Sequence, residues 1–261
     1  MVVVTSDQRD VILGAVREMY TAVADRPEDE YHFPTGRRAC EYVGYPAERI
    51  DQVPATAVES FAGVGYPFAA GAIAEGDTVL DIGSGSGTDL ILAAILVGPE
   101  GRALGLDMTA AMRRKAAANA RRAGLENVEL LDGTAESIPL PDASVDVVTS
   151  NGVLNLVPDK EAAVREIHRV LVPGGRVQIA DIAVRDLPSD ECRSSPQLWA
   201  ECIVGATTAE DYLEHFRSAG FEGVETLGTL DYFAASTSES TRRTAAGFGA
   251  HTIVMRAQKS S

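Results

Sequence analysis

Cysteine is scarce in this chain: 3 residues in 261, Cys40, Cys192 and Cys202. So few and so scattered, they give no disulfide framework, which predicts a reducing, cytoplasmic setting. Positive charge is short as well. The 23 lysines and arginines face 38 acids, a formal net charge of −15. That field repels phosphate backbones and argues against a nucleic-acid partner. The densest basic cluster, Arg113, Arg114, Lys115, Arg121 and Arg122, falls on one predicted helix and reads as its solvated face. No apolar run approaches a membrane span, and the opening MVVVTSDQRD has no basic stretch leading into a long apolar one. No membrane partner is therefore expected. Aromatics make up only 6% and are unevenly spread. Of the fifteen, eight precede residue 69: Tyr20, Tyr31, Phe33, Tyr42, Tyr45, Phe61, Tyr66 and Phe68.

What is present begins with the run VLDIGSGSGTD, Val79 to Asp89. Val79, Leu80 and Ile82 read as a buried strand, Gly83, Gly85 and Gly87 follow at alternate positions, and the apolar stretch Leu90 to Val97 continues as a helix. A strand that breaks through glycines into a helix brings bare backbone close to a ligand and aims a helix N-terminus at it. A turn that binds nothing and a dinucleotide fingerprint are the alternatives. The dinucleotide pattern places its third glycine three residues after the second, where this chain has Thr88.

From Thr78 onward strands and helices alternate, the pattern of a doubly wound parallel α/β sheet. Strands are predicted near residues 78–82, 103–107, 128–131, 145–150 and 176–181, with helices at 88–97, 109–123 and 159–171. A further helix spans Thr207 to Gly220, with Thr207 and Glu210 as a capping box. Two last strands, near 224–233 and 250–257, are joined by the polar stretch Ala234–Gly249. Ahead of the sheet, Asp7–Ala24 is helical, with Val11, Ile12, Val16, Met19, Tyr20 and Val23 on one stripe that reads as packing onto the sheet.

The order acid–x–Gly–x–Gly–x–Gly, led by Asp81, resembles motif I of the class I S-adenosylmethionine (SAM) methyltransferases. Three more segments resemble that family in the same order: ALGLD ending at Asp107, LLDGTAESIPLPD from Leu130, and VDVVTSNGVLNL from Val145. The resemblance implies a Rossmann-like sheet of seven strands, closed by an antiparallel edge, with SAM as cofactor. It implies a cofactor site of Asp81, Gly83, Ser84, Gly85, Gly87, Asp107, Met108, Thr134, Ala135, Glu136 and Asn151. Asp107 stands 26 residues after Asp81, where a carboxylate accepts hydrogen bonds from two ribose hydroxyls. Where the family often has an acid for the adenine amine this chain has Thr134, so a backbone contact from Ala135 is expected. The division implied is a helical and aromatic cap, residues 1–68, and a SAM-binding domain, 69–261, with Tyr20, Tyr31 and Phe33 shaping the substrate pocket. An extension that only stabilises the sheet is the alternative.

Within that family GLDMT, Ser150-Asn151, Asn155-Leu156, Pro158-Asp159-Lys160 and CIVGA (202–206) resemble the arsenite methyltransferases. One departure matters: the arsenic-binding cysteine that follows Ser-Asn in that branch is Gly152 here, leaving Cys202 at the second thiolate place. Methyl transfer requires in-line placement of a nucleophile and no metal. A hydroxyl or amine acceptor also needs a proton acceptor, for which His32 is the candidate in the cap. The readings, in order, are methylation of a small organic molecule, methylation of trivalent arsenic, non-catalytic SAM binding and nicotinamide-dependent oxidoreduction. The oligomeric state is not readable.

Overall fold

In the computed structural model, which describes residues 6–188, 199 and 203–261, seven strands form one sheet, built from buried aliphatic runs at its centre and from more exposed segments at its two edges. The strands are β1 (Thr78–Ile82), β2 (Arg102–Asp107), β3 (Val128–Asp132), β4 (Val145–Asn151), β5 (Leu171–Ala183), β6 (Phe221–Leu230) and β7 (His251–Lys259). Their order is β3-β2-β1-β4-β5-β7-β6, parallel from β3 to β5, with β7 antiparallel to both β5 and β6. This is the seven-stranded, doubly wound sheet the sequence predicts. The order reverses between β1 and β4, and that reversal opens a crevice beyond the strands' C-terminal ends.

Ahead of the sheet lie α1 (Ser6–Asp25), α2 (Gly36–Tyr42), α3 (Ala47–Ile50) and α4 (Ala55–Val58). Ile12, Val16 and Val23 of α1 are buried as the stripe predicts, but Val11 is 56% exposed and lies outside it. These side chains share one hydrophobic cluster with Ile91, Met112 and Ile182 of the sheet layers. The N-terminal segment is thus packed into the same core as the sheet.

The helices between strands are α5 (Thr88–Val97), α6 (Ala110–Arg122), α7 (Lys160–Val170), α8 (Ala209–Ser218) and α9 (Glu239–Phe248). Asp159 caps α7, its side chain accepting from the Ala162 N–H at 2.8 Å. The cap of α8 falls one residue later than predicted, with Thr208 Oγ1 accepting from the Asp211 N–H at 3.1 Å. The stretch expected as a polar link contains α9, because Ser238 Oγ accepts from the Thr241 N–H. Among the described residues no helix is long and apolar enough to cross a membrane.

Candidate functional site

A cleft, partly open to solvent, lies over the crevice at the tips of β1, β2 and β4. One side is made by the glycine loop. Asp81 at the end of β1 is 2% exposed, and its Oδ2 has no hydrogen-bond partner. Ser84 Oγ and Thr88 Oγ1, on the same loop and the first turn of α5, are likewise buried and unpartnered. Unpaired buried polar atoms cost free energy, and these three belong to residues that line one cleft. Asp107, at the tip of β2, accepts from the Gly85 N–H at 2.9 Å and from the Thr109 N–H at 2.7 Å. Its carboxylate ties the loop to the second strand and still faces the cleft. Burial pushes its pKa up, against the pull of those N–H donors.

Gly87 does not line this cleft. Its φ of +95° makes it the N-cap of α5, and a Cβ there would sit 3.2 Å from Ala116 Cβ. Its smallness serves the packing of α5 against α6, the task a dinucleotide fold gives its third glycine. The remaining predicted cofactor residues, Asp81, Gly83, Ser84, Gly85, Asp107, Met108, Thr134, Ala135, Glu136 and Asn151, all line the cleft.

Two of these spend their side chains on holding the N-terminal segment. Asn151 Oδ1 accepts from the N–H groups of Val64 (2.7 Å) and Gly65 (3.2 Å). Its Nδ2 faces Gly65 O, Tyr45 Oη and Asp89 Oδ2 at 2.9, 3.0 and 3.1 Å. Tyr45 Oη in turn donates to Asp89 Oδ1 at 2.5 Å. Asp89, 6% exposed, therefore sits in the cleft wall bound to two donors, and burial still raises its pKa to about 6. Glu136 Oε2 is paired with Arg9 Nη2 of α1 at 2.5 Å, and its Oε1 accepts from the Asp159 N–H at 3.0 Å.

The predicted solvated face of α6 is corrected by the same segment. Lys115 Nζ donates to Ala24 O, Ser60 Oγ and Glu59 Oε1, and Arg122 donates to Thr56 Oγ1. Arg113 donates to Asp107 O and pairs with Asp132. Arg114, Arg121 and Arg122 are exposed, as expected, although Arg122 also reaches Thr56.

The opposite side of the cleft is apolar. Leu13, Val16 and Tyr20 of α1 face Phe61 and Ala62 from the N-terminal segment and Val153, Leu156 and Val157 after β4. Of the predicted pocket aromatics only Tyr20 is on the lining. Phe33 stacks on Tyr20 at 6.1 Å and Tyr31 on Phe33 at 5.7 Å, so these two stand behind it. His32 is also outside the lining. Its ring meets Phe33 edge-on and its carbonyl accepts from Ser236 Oγ. The structure does not bring it to the cleft. Cys40 is buried in the core, its thiol pKa pushed up strongly by burial. Cys192 and Cys202 lie outside the described residues. The signals that sequence reading missed are Asp89, Tyr45 and Phe61, which become site residues only through contacts across the fold.

The chain matches a family model described as a methyltransferase domain over residues 73–220. It is 42% identical over 185 residues to an arsenite methyltransferase of Halobacterium salinarum, covering 71% of this chain and 47% of that protein. It is 38% identical over 116 residues to a demethylmenaquinone methyltransferase of Listeria welshimeri, covering 44% of this chain and 49% of that protein. The chain thus spans about half the length of these curated relatives. Among solved structures, an arsenic(III) SAM methyltransferase from Chlamydomonas reinhardtii superposes with a TM-score of 0.64 at 31% identity. That match covers 87% of this chain and 75% of the other.

Proposed function

Because the chain belongs to the methyltransferase-domain family, we propose that it transfers the methyl group of SAM to a small, apolar organic acceptor. The residues present fit the donor. Asp81 Oδ2, Ser84 Oγ and Thr88 Oγ1 offer unspent hydrogen-bonding capacity beside the glycine loop. Asp107 keeps acceptor capacity for vicinal hydroxyls after receiving its two N–H donors. Ala135 and Met108 supply apolar surface on the same side. Bound SAM supplies a methyl group already activated on a sulfonium, so the chain's task is to orient an acceptor and keep water out.

The observation that carries the acceptor class is the wall opposite the loop. Leu13, Val16, Tyr20, Phe61, Val153 and Leu156 present no charge, and no described residue brings a thiol to the cleft. Apolar walls with few polar groups suit a small organic molecule, and the reading goes with a cytoplasmic protein whose net charge of −15 disfavours nucleic acid. Within the N-terminal segment, residues 1–68, the described residues act as the cap that completes this wall. A panel of apolar phenols, quinols and amines, assayed for S-adenosylhomocysteine release, tests it. Turnover is expected with at least one of them, and turnover with none across a broad panel would remove the organic reading.

A second reading, methylation of trivalent arsenic, is favoured by the relatives named for that substrate. Soft arsenic takes thiolates, and here Gly152 stands where that branch places a cysteine. Gly152 has φ +73°, and a Cβ there would meet Val64 Cγ1 at 3.1 Å. A thiol at this position has to be built on strained backbone against the cap. Arsenite supplied with a thiol belongs in the same panel. Methylated arsenic lost in Cys202→Ser would reverse the order of the two readings.

A further inference from the structure

Among the described residues, the charged side chains on the cleft are all acidic: Asp81, Asp89, Asp107 and Glu136, with no lysine, arginine or histidine on the lining. Two of the four have a cation nearby. Glu136 is paired with Arg9, and Asp107 has Arg113 beside it as well as two N–H donors. Asp81 and Asp89 have none. Asp81 is 2% exposed with Oδ2 unpartnered, and Asp89 is 6% exposed and bonded only to the neutral Tyr45 and Asn151.

Resting on the SAM reading above, we infer that Asp81 and Asp89 form a charge-reading pair that selects the cationic methyl donor over its uncharged-sulfur product. Two carboxylates sharing a desolvated wall repel each other, and a positive ligand relieves both the repulsion and the lost solvation. Methyl transfer delivers the methyl group without its bonding electron pair. Sulfur regains that pair as a lone pair and loses its charge, so the product gives the carboxylates one positive charge fewer. The wall that attracts the donor thereby weakens its hold once the methyl has left.

The burial of the pair adds a pH signature. Asp81 is held well above the carboxylate range by burial and by the charges of Asp89 and Asp107, and Asp89 titrates near 6. The other ionisable groups facing Asp89 are Tyr45, Cys40 and Tyr66, each neutral in this range with its pKa raised by burial. A cation bound beside the pair lowers its pKa values and so expels protons. Donor affinity then rises with pH through about 6, while product affinity rises less.

Calorimetric titration of the full chain with SAM and with S-adenosylhomocysteine, at pH 5, 6 and 7.5 and in buffers of different ionisation enthalpy, decides this. The ratio of product to donor dissociation constants is expected to rise about tenfold from pH 5 to 7.5. At pH 6 SAM is expected to release more protons than the product does. Sinefungin, whose amine replaces the sulfonium, should follow SAM. Asp89→Asn should flatten the ratio, and Asp81→Asn provides the same test at the oxygen without a partner. The wild-type series stands alone if either variant fails to fold. A ratio flat within about twofold, with equal proton release, overturns the inference while leaving SAM binding intact. Failure of both ligands to bind overturns the SAM reading and this inference together.

Discussion

The two sides of the cleft are built by different means. The loop side comes mainly from one stretch, Asp81 to Asp89, with the tip of β2 and the loop after β3, and it is held by backbone geometry and the bond from the Gly85 N–H to Asp107. The opposite side is assembled from α1, from residues near 61 and from the segment after β4, and it is apolar. What joins them is a small polar hub, Tyr45–Asp89–Asn151, together with the Arg9–Glu136 pair. On the function proposed above, the contrast makes donor recognition local and acceptor recognition tertiary. A change on the loop side should therefore abolish donor binding, whereas a change at the junctions should loosen the cap and spare the loop.

The largest effect is expected at Gly83, whose φ is +70° and whose missing Cβ would fall inside the Val153 side chain. Gly83→Val combines backbone strain with a core clash. It should cost about 3 kcal/mol or more in denaturant unfolding and remove SAM binding. Next comes Asp107→Ala, which deletes a carboxylate that organises Gly85 and Thr109 and lines the cleft. Calorimetry should show SAM affinity lower by about 100-fold. A tenfold larger loss in Arg9→Ala than in Asp107→Ala would break the division between local and tertiary recognition.

Stability itself should depend on pH. Asp89 and Asp181 are both buried, with pKa values raised to about 6 by burial. The folded state thus holds protons that the unfolded state has released. Each group's stabilisation is full below the unfolded carboxylate pKa of about 4 and is lost as pH rises through about 6. The fall is on the order of 2–3 kcal/mol per group and should be visible in unfolding at pH 4, 5, 6 and 7. Asp181 accepts from Tyr212 Oη and lies off the cleft lining. Asp181→Asn should accordingly remove its share of the pH slope without changing SAM affinity.

The smallest effect belongs to Arg9→Ala. The arginine side chain is 39% exposed but Glu136 only 5%, so the change leaves a largely buried carboxylate without its cation and should lower stability by about 1–2 kcal/mol. The sharper readout is hydrogen exchange in α1, which should quicken while the sheet is unchanged.

The sheet and the loop side were readable because each is written in adjacent residues. Aliphatic runs, alternating glycines and a carboxylate at a strand tip each have a local pattern, and Asp81, Gly85 and Asp107 follow from it. The capping box moved by one because Thr207 and Thr208 are both competent caps, and only the approach of the chain decides between them. The hub was not readable. Tyr45 meets Asp89 across 44 residues and Asn151 across 106, and Lys115 reaches Ala24 across 91. A lysine on a polar helix face carries no mark saying that a carbonyl will arrive there. For the same reason Tyr31 and Phe33 were indistinguishable from Tyr20 in sequence, though only Tyr20 reaches the cleft.

The central claim is that this glycine loop and Asp107 hold SAM rather than a nicotinamide dinucleotide. Titrating the wild-type protein with SAM and with NADH in parallel tests it most directly. The account predicts SAM binding with a dissociation constant on the order of micromolar and no measurable heat from NADH. Tight NADH binding without SAM binding would contradict it.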